Sequence, residues 1–151
     1  MLRDDINEAV KTAMKSQDKL KLGTLRMVNS AIKNADIEAR GAGKGPLGDD
    51  ELLTQLQKLI KQRHESAELY DKGGRPELAT QERDEIAIIS SFMPKQMSED
   101  DVKAAVAAAV KDTGASSMKD MGRVMAALKE RYAGKMDFAK AGGLVKGQLG
   151  S

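Results

Sequence analysis

Apolar residues recur along this chain every three or four positions, and the intervals between those runs carry Gly, Pro and capping residues. That period is helical. Leu2, Ile6, Ala9, Val10 and Ala13 form one stripe from Leu2 to Met14, after which Ser16-Gln-Asp18 offers a break and Asp18 a cap for the next helix. From Lys21 to Ala39 the residues Leu22, Leu25, Val28, Ile32 and Ala35 repeat the pattern, leaving Arg26, Asn29, Ser30 and Lys33 together on the outward side. Gly41 to Gly48, rich in glycine, reads as a surface loop. Asp49 or Asp50 is expected to cap a third helix reaching about Lys72, with Leu52, Leu56, Leu59, Ile60, Arg63, Ala67 and Tyr70 on one stripe and Gly73-Gly74 as its stop. Pro76 suits the first turn of a fourth helix that carries Leu78, Ala79, Ile86 and Ile89.

Pro94 then forces a stop, because it lacks an N–H and pushes Met93 away from helical geometry, so the fourth helix is expected to end at about Ser91 to Met93. Ser98-Glu-Asp-Asp101 opens another helix as an N-cap followed by first-turn carboxylates. Its stripe is Val102, Ala105, Val106, Ala109 and Val110, ending at Thr113-Gly114. Ser117-Met-Lys-Asp120 is a second capping box, followed by Met121, Val124, Met125, Leu128 and Tyr132, with Gly134 as the stop. Asp137 can cap a last helix bearing Phe138, Ala141, Leu144, Val145 and Leu149, which Gly142 and Gly143 weaken by about 1 kcal/mol each relative to alanine. No stretch alternates with a period of two. The pattern predicts an all-α protein: an antiparallel bundle of about four helices over residues 1–93, then a small three-helix domain over 94–151.

Composition narrows the chemistry. With 40% hydrophobic and 32% charged residues the chain has a soluble globular composition, no apolar run approaches membrane-spanning length, and the N-terminus lacks a secretory core. A cytoplasmic protein with no membrane partner is expected. The absence of cysteine removes thiolate nucleophiles, disulfides and Cys-based metal sites. His64 is the only histidine, which excludes a pair of them; His64-Glu-Ser-Ala-Glu68 resembles a zinc helix until Glu68 stands where the second histidine belongs. The Gly43-Lys44 pair lacks the rest of a phosphate loop, having Glu38 at the required glycine position and Gly45 in place of Ser or Thr. No catalytic residue, metal site or cofactor is expected.

Charge points towards nucleic acid. Residues 1–93 hold 15 Lys or Arg against 16 Asp or Glu, net −1, whereas residues 94–151 hold 10 against 7, net +3. With two Tyr, two Phe and no Trp the chain lacks aromatic platforms for single-stranded bases, so recognition would run through phosphates and the shape of folded RNA. Lys119 and Arg123 stand one turn apart at the start of a capped helix beside Gly122, where exposed amides favour a phosphate. These three, with Arg26 and Lys33 on the outward side of the second helix, are the candidate RNA contacts.

Several segments together resemble the YqeY family over nearly the whole chain: Leu25-Arg26-Met27, the run from Lys61-Gln-Arg-His-Glu-Ser66 to Tyr70, Gly74-Arg75 with Leu78-Ala79, Glu85-Ile86 through Met93-Pro94, and Lys119-Asp-Met-Gly-Arg-Val-Met125. That family is similar to the C-terminal tail region of GatB, a subunit of the tRNA-dependent amidotransferase. The resemblance implies a helical bundle followed by a small three-helix domain. It also implies tRNA as a partner, with an amidotransferase or aminoacyl-tRNA synthetase as a protein partner, and links the chain to carbon–nitrogen ligase chemistry with glutamine as amido donor. In GatB the catalytic chemistry resides outside the tail, so the chain is not expected to turn over substrate alone. A protein-interaction module that docks on such enzymes without touching RNA is the alternative. The chain departs from the family pattern at Lys135-Met-Asp-Phe138, where a small residue would precede the Asp and a glycine follow it.

Overall fold

The computed structural model of the chain describes residues 1–150. Among them there are seven α-helices, one short 3-10 turn and no strand, and the chain divides into two compact units, Met1–Met93 and Pro94–Ser151. The all-α architecture read from the periodicity is the one observed.

The first unit holds α1 (Leu2–Ser16), α2 (Lys19–Gly41), α3 (Asp49–Lys72) and α4 (Pro76–Ser90). Its core is built from the stripes of all four: Leu2 and Ile6 from α1, Leu25, Val28 and Ile32 from α2, Leu52 and Leu56 from α3, and Ile89 from α4. The break after α1 falls on Gln17, in the left-handed region at φ 59°, and Asp18 caps α2 by accepting from the Lys21 N–H at 3.1 Å. α3 and α4 pack closely as a hairpin. Its turn needs a glycine at Gly74, whose φ of +73° lets the Arg75 N–H reach back to the Tyr70 carbonyl at 2.8 Å.

The cap of α3 differs from expectation. Gly48, not Asp49 or Asp50, is the N-cap, and Glu51 reaches back to accept from the Gly48 N–H at 3.4 Å. Asp49 turns instead towards the start of α1, where its carboxylate accepts from the Leu2 N–H at 3.4 Å. Beside it, Arg3 grips Asp36 with both arms at 2.8 and 2.7 Å and donates to the Leu47 carbonyl at 3.0 Å, while the Leu47 N–H donates to Asp36 at 3.1 Å. The glycine-rich loop is thus tied down at its C-terminal end.

The Arg3 guanidinium and the Leu47 N–H hold the Asp36 carboxyl below the ordinary carboxylate range. A depressed folded-state pKa gives stability that is present above the unfolded pKa and is lost as pH falls through the folded one. Asp36→Asn is therefore expected to lower stability at pH 7 by about 1 kcal/mol, since both partners keep some water. The variant should also lose less stability than the parent as pH drops below about 4. Urea melts across that range measure both effects.

The second unit holds α5 (Glu99–Asp112), the 3-10 turn Met118–Asp120, α6 (Met121–Tyr132) and α7 (Phe138–Leu149), each α-helix packed on the other two. Ala105, Val106 and Ala109 meet Val124, Leu128, Ala141, Val145 and Leu149 in its core. Ser98 and Asp101 form the expected capping box, with the Asp101 N–H donating to the Ser98 hydroxyl at 3.1 Å. The second box opens on the 3-10 turn, and α6 proper begins only at Met121. Met136, just before the Asp137 cap of α7, is 2% exposed and fills the core of the second unit.

The adjacent glycines of α7, Gly142 and Gly143, face different surroundings. A Cβ on Gly142 would lie 3.7 Å from the Met121 methyl, an ordinary contact on the α6 side, whereas a Cβ on Gly143 would meet no atom within 4 Å. Gly143→Ala is thus expected to stabilise the protein by about 0.5–1 kcal/mol, through helix propensity and a less flexible unfolded chain, as a thermal melt would register.

Candidate nucleic-acid interface

Five side chains or backbone positions were expected to meet RNA, and the structure places them in two groups. Arg26 and Lys33 are exposed on α2 in the first unit. Seven residues apart, they lie about two turns from one another on nearly the same side. Asn29 between them donates to Asn7 of α1 at 3.4 Å. Among the described residues neither cation is in an ion pair.

Lys119, Gly122 and Arg123 belong to the second unit, with Lys119 in the 3-10 turn and the other two in the first turn of α6, all three exposed. Val124 and Leu128 occupy the buried side of the same helix. The surroundings are more acidic than spacing alone conveyed. Asp120 accepts from the Ser116 and Ser117 N–H groups at 2.9 and 3.3 Å and from Arg123 at 2.6 Å. Those contacts, the Ser116 N–H foremost, hold its carboxyl below the ordinary range. Two backbone amides ahead of α6 are therefore already occupied by a carboxylate of the chain itself. Arg123 remains 60% exposed beside its partner, and an ion pair so open to water holds weakly enough for phosphate to compete. Lys119 is in no ion pair among the described residues.

Three of the segments that carry the family resemblance meet inside the first unit. Arg63 of α3 donates through Nε to Glu85 of α4 at 2.9 Å, with both side chains more than four-fifths buried. Its two terminal nitrogens reach the Leu59 carbonyl at 3.2 Å and the Met27 sulfur of α2 at 3.3 Å. Burial and the neighbouring Glu85 push the half-buried Glu82 carboxyl above its ordinary value, against the pull of Arg63. This cluster joins three helices and is a structural clamp. The signal for it was present in the sequence, since Arg63 is a charge within an apolar stripe and Glu85 an opposite charge on the next helix.

His64 and Glu68 point outwards on α3, and among the described residues no three of His, Asp or Glu gather to hold a metal ion. Missed altogether by the sequence reading were Lys103, Lys135 and Lys140, which the packing of α5 and α7 brings around one groove of the second unit. Nothing in their spacing marks them out.

These features define an all-helical protein of two compact units, the first clamped by the largely buried Arg63–Glu85 pair and the second rich in exposed lysine. The profile of the family described as Yqey-like protein matches residues 3–149, and the chain belongs to that family. Among curated proteins it is 35% identical over 89 residues to Altered inheritance of mitochondria protein 41, mitochondrial, of Lachancea thermotolerans, covering 59% of this chain and 46% of the relative. The protein of the same name from Eremothecium gossypii is 33% identical over 88 residues, covering 58% and 46%. The chain spans about half the length of the curated relatives it matches.

Proposed function

We propose that this protein binds tRNA, or works beside a tRNA-dependent amidotransferase, in the cytoplasm, and has no turnover of its own. The observation that carries the reading is the basic second unit, net +3 over residues 94–151, with Lys119 and Arg123 both open to solvent. Phosphate contacts made by such cations supply affinity and position a folded RNA without reading its bases. Arg26 and Lys33 offer two further cations on the first unit. The resemblance to the GatB tail supplies the choice of tRNA and the link to glutamine-dependent carbon–nitrogen ligation. None of the described helices is long and apolar enough to cross a membrane. The two curated relatives are mitochondrial by name.

A second reading, a module that docks on an amidotransferase or aminoacyl-tRNA synthetase without RNA, is favoured by the apolar, lysine-edged groove of the second unit. Capture of the native protein after crosslinking in cells, followed by sequencing of the RNA and mass spectrometry of the protein, separates the two. Enrichment of tRNA over total RNA is the expected result. An amidotransferase or synthetase recovered with no tRNA above background would favour the second reading.

A further inference from the structure

Between α5 and α7 the second unit carries a groove of about 550 Å³ whose floor includes Met97, Val102 and Leu144 and around which stand Lys103, Lys135 and Lys140. All three lysines are exposed, and none is in an ion pair among the described residues. Two carboxylates stand at its edge, Asp137, which caps α7 by accepting from the Ala139 and Lys140 N–H groups at 2.9 and 3.4 Å, and Glu99 in the first turn of α5; against the three lysines they leave the lining net positive by one charge. A second depression of about 460 Å³ adjoins it, sharing Met97 and Lys135 and adding Lys95 and Tyr132. The stretch they share is fixed in place. The Met97 N–H donates to the Lys135 carbonyl at 2.9 Å, and the Gln96 amide donates to the Gly134 carbonyl at 2.6 Å.

One wall of the groove is Gly143, where the space that a side chain would occupy is open. The helix therefore carries a costly residue at a position where packing within the chain does not demand it, and the bare backbone widens the groove. An apolar floor left to water, with unpaired ammonium groups around it, is complementary to a chain that offers apolar side chains on one side and carboxylates on the other. Phosphate binding alone has no use for an aliphatic floor, and the groove lacks the aromatic faces on which unpaired bases stack.

We propose that this groove docks an acidic amphipathic segment of a partner protein, with its apolar side chains on Met97, Val102 and Leu144 and its carboxylates against Lys103, Lys135 and Lys140. This is helix-in-groove recognition, in which apolar anchors recur at i, i+3 or i+4, and i+7. It goes beyond RNA binding and does not depend on it, because Lys119, Gly122 and Arg123 line neither depression.

The test is selection of a displayed library of random peptides, about four helical turns long, on the full-length protein. Winners are synthesised and titrated by fluorescence anisotropy and by methyl NMR. Enriched peptides are expected to combine Leu, Met or Phe at helical spacing with Asp or Glu, and to shift the signals of Met97, Val102 and Leu144. Affinity should fall at least tenfold in the Lys103→Glu, Lys135→Glu, Lys140→Glu variant, and similarly in Gly143→Leu, which fills the groove from a position free of internal contacts. The second variant keeps the test decisive if the triple variant misfolds. Neutral or basic winners, no winners, shifts outside the groove, or unchanged affinity in a folded variant would each overturn the proposal. Folded groove variants that keep peptide binding and lose binding of bulk tRNA would assign the groove to RNA. Failure of the RNA reading shows separately, in a Lys119→Ala, Arg123→Ala variant.

Discussion

Arg63→Ala is expected to destabilise the first unit by about 2–3 kcal/mol, a large effect for a substitution outside the aliphatic core. The change removes the 2.9 Å contact with Glu85, the bond to the Leu59 carbonyl and the contact with the Met27 sulfur at once. It also takes away the packed stem of the arginine and leaves Glu85 and Glu82 facing each other without a cation. The value sits below the 3–5 kcal/mol typical of a fully buried pair because 14% and 18% of the two side chains remain in water. Replacing both partners, Arg63→Met with Glu85→Met, should recover much of the loss, since two apolar side chains leave no unpaired charge. Denaturant melts of the three proteins decide this. Equal stability of parent and Arg63→Ala would mean that the clamp contributes nothing.

The same variant carries a pH signature. Arg63 is the group that restrains the upward shift of Glu82, so its removal should raise that carboxyl further. A folded-state pKa above the unfolded one means that the folded protein binds more protons, so stability is greater below the unfolded pKa and declines as pH rises through the folded one. Arg63→Ala should accordingly lie closest to the parent in mildly acidic buffer and fall behind it towards neutral pH.

Much of this fold was legible because helices announce themselves locally. The stripes of Leu2 to Ala13, Leu52 to Ala67 and Val102 to Ala109 each repeat one period, and their buried members are the residues that form the two cores. Pro76 lies in the first turn of α4 and Gly74 in the turn before it, as their backbone preferences require. What escaped depended on partners distant in sequence. Asp49 gave up the capping role because the start of α1, 47 residues away, offered it the Leu2 N–H. Met136 lies on none of the stripes read from the sequence, yet it is enclosed by the core of the second unit.

The candidate interface was less legible for the same reason. Helical spacing separates exposed Arg123 from buried Val124 and Leu128 on α6, because the side a residue takes on a helix is a local property, while Lys119 is exposed in the 3-10 turn before that helix. It did not reveal that Asp120 would cap the Ser116 and Ser117 amides and pair with Arg123. Nor did it gather Lys103, Lys135 and Lys140 around one groove, which only the packing of α5 against α7 brings about.

The second large effect is on RNA. Lys119→Ala with Arg123→Ala removes two exposed cations and frees Asp120, whose negative charge then faces the same phosphates. Thermal stability should stay near that of the parent, since exposed charges contribute little to it. Affinity for tRNA should drop several-fold, and by a similar factor for every tRNA species, because phosphate contacts position the RNA and do not select among sequences.

The most direct measurement is the binding of tRNA by the parent and by this double variant as salt is raised from about 50 to 200 mM, plotted as log K against log salt concentration. Phosphate binding through Lys119 and Arg123 predicts a steep line for the parent and a slope flatter by about one to two units for the variant, about one for each cation removed. A parent protein that fails to bind tRNA at the lowest salt, or a variant whose affinity and slope match the parent's, would contradict that role.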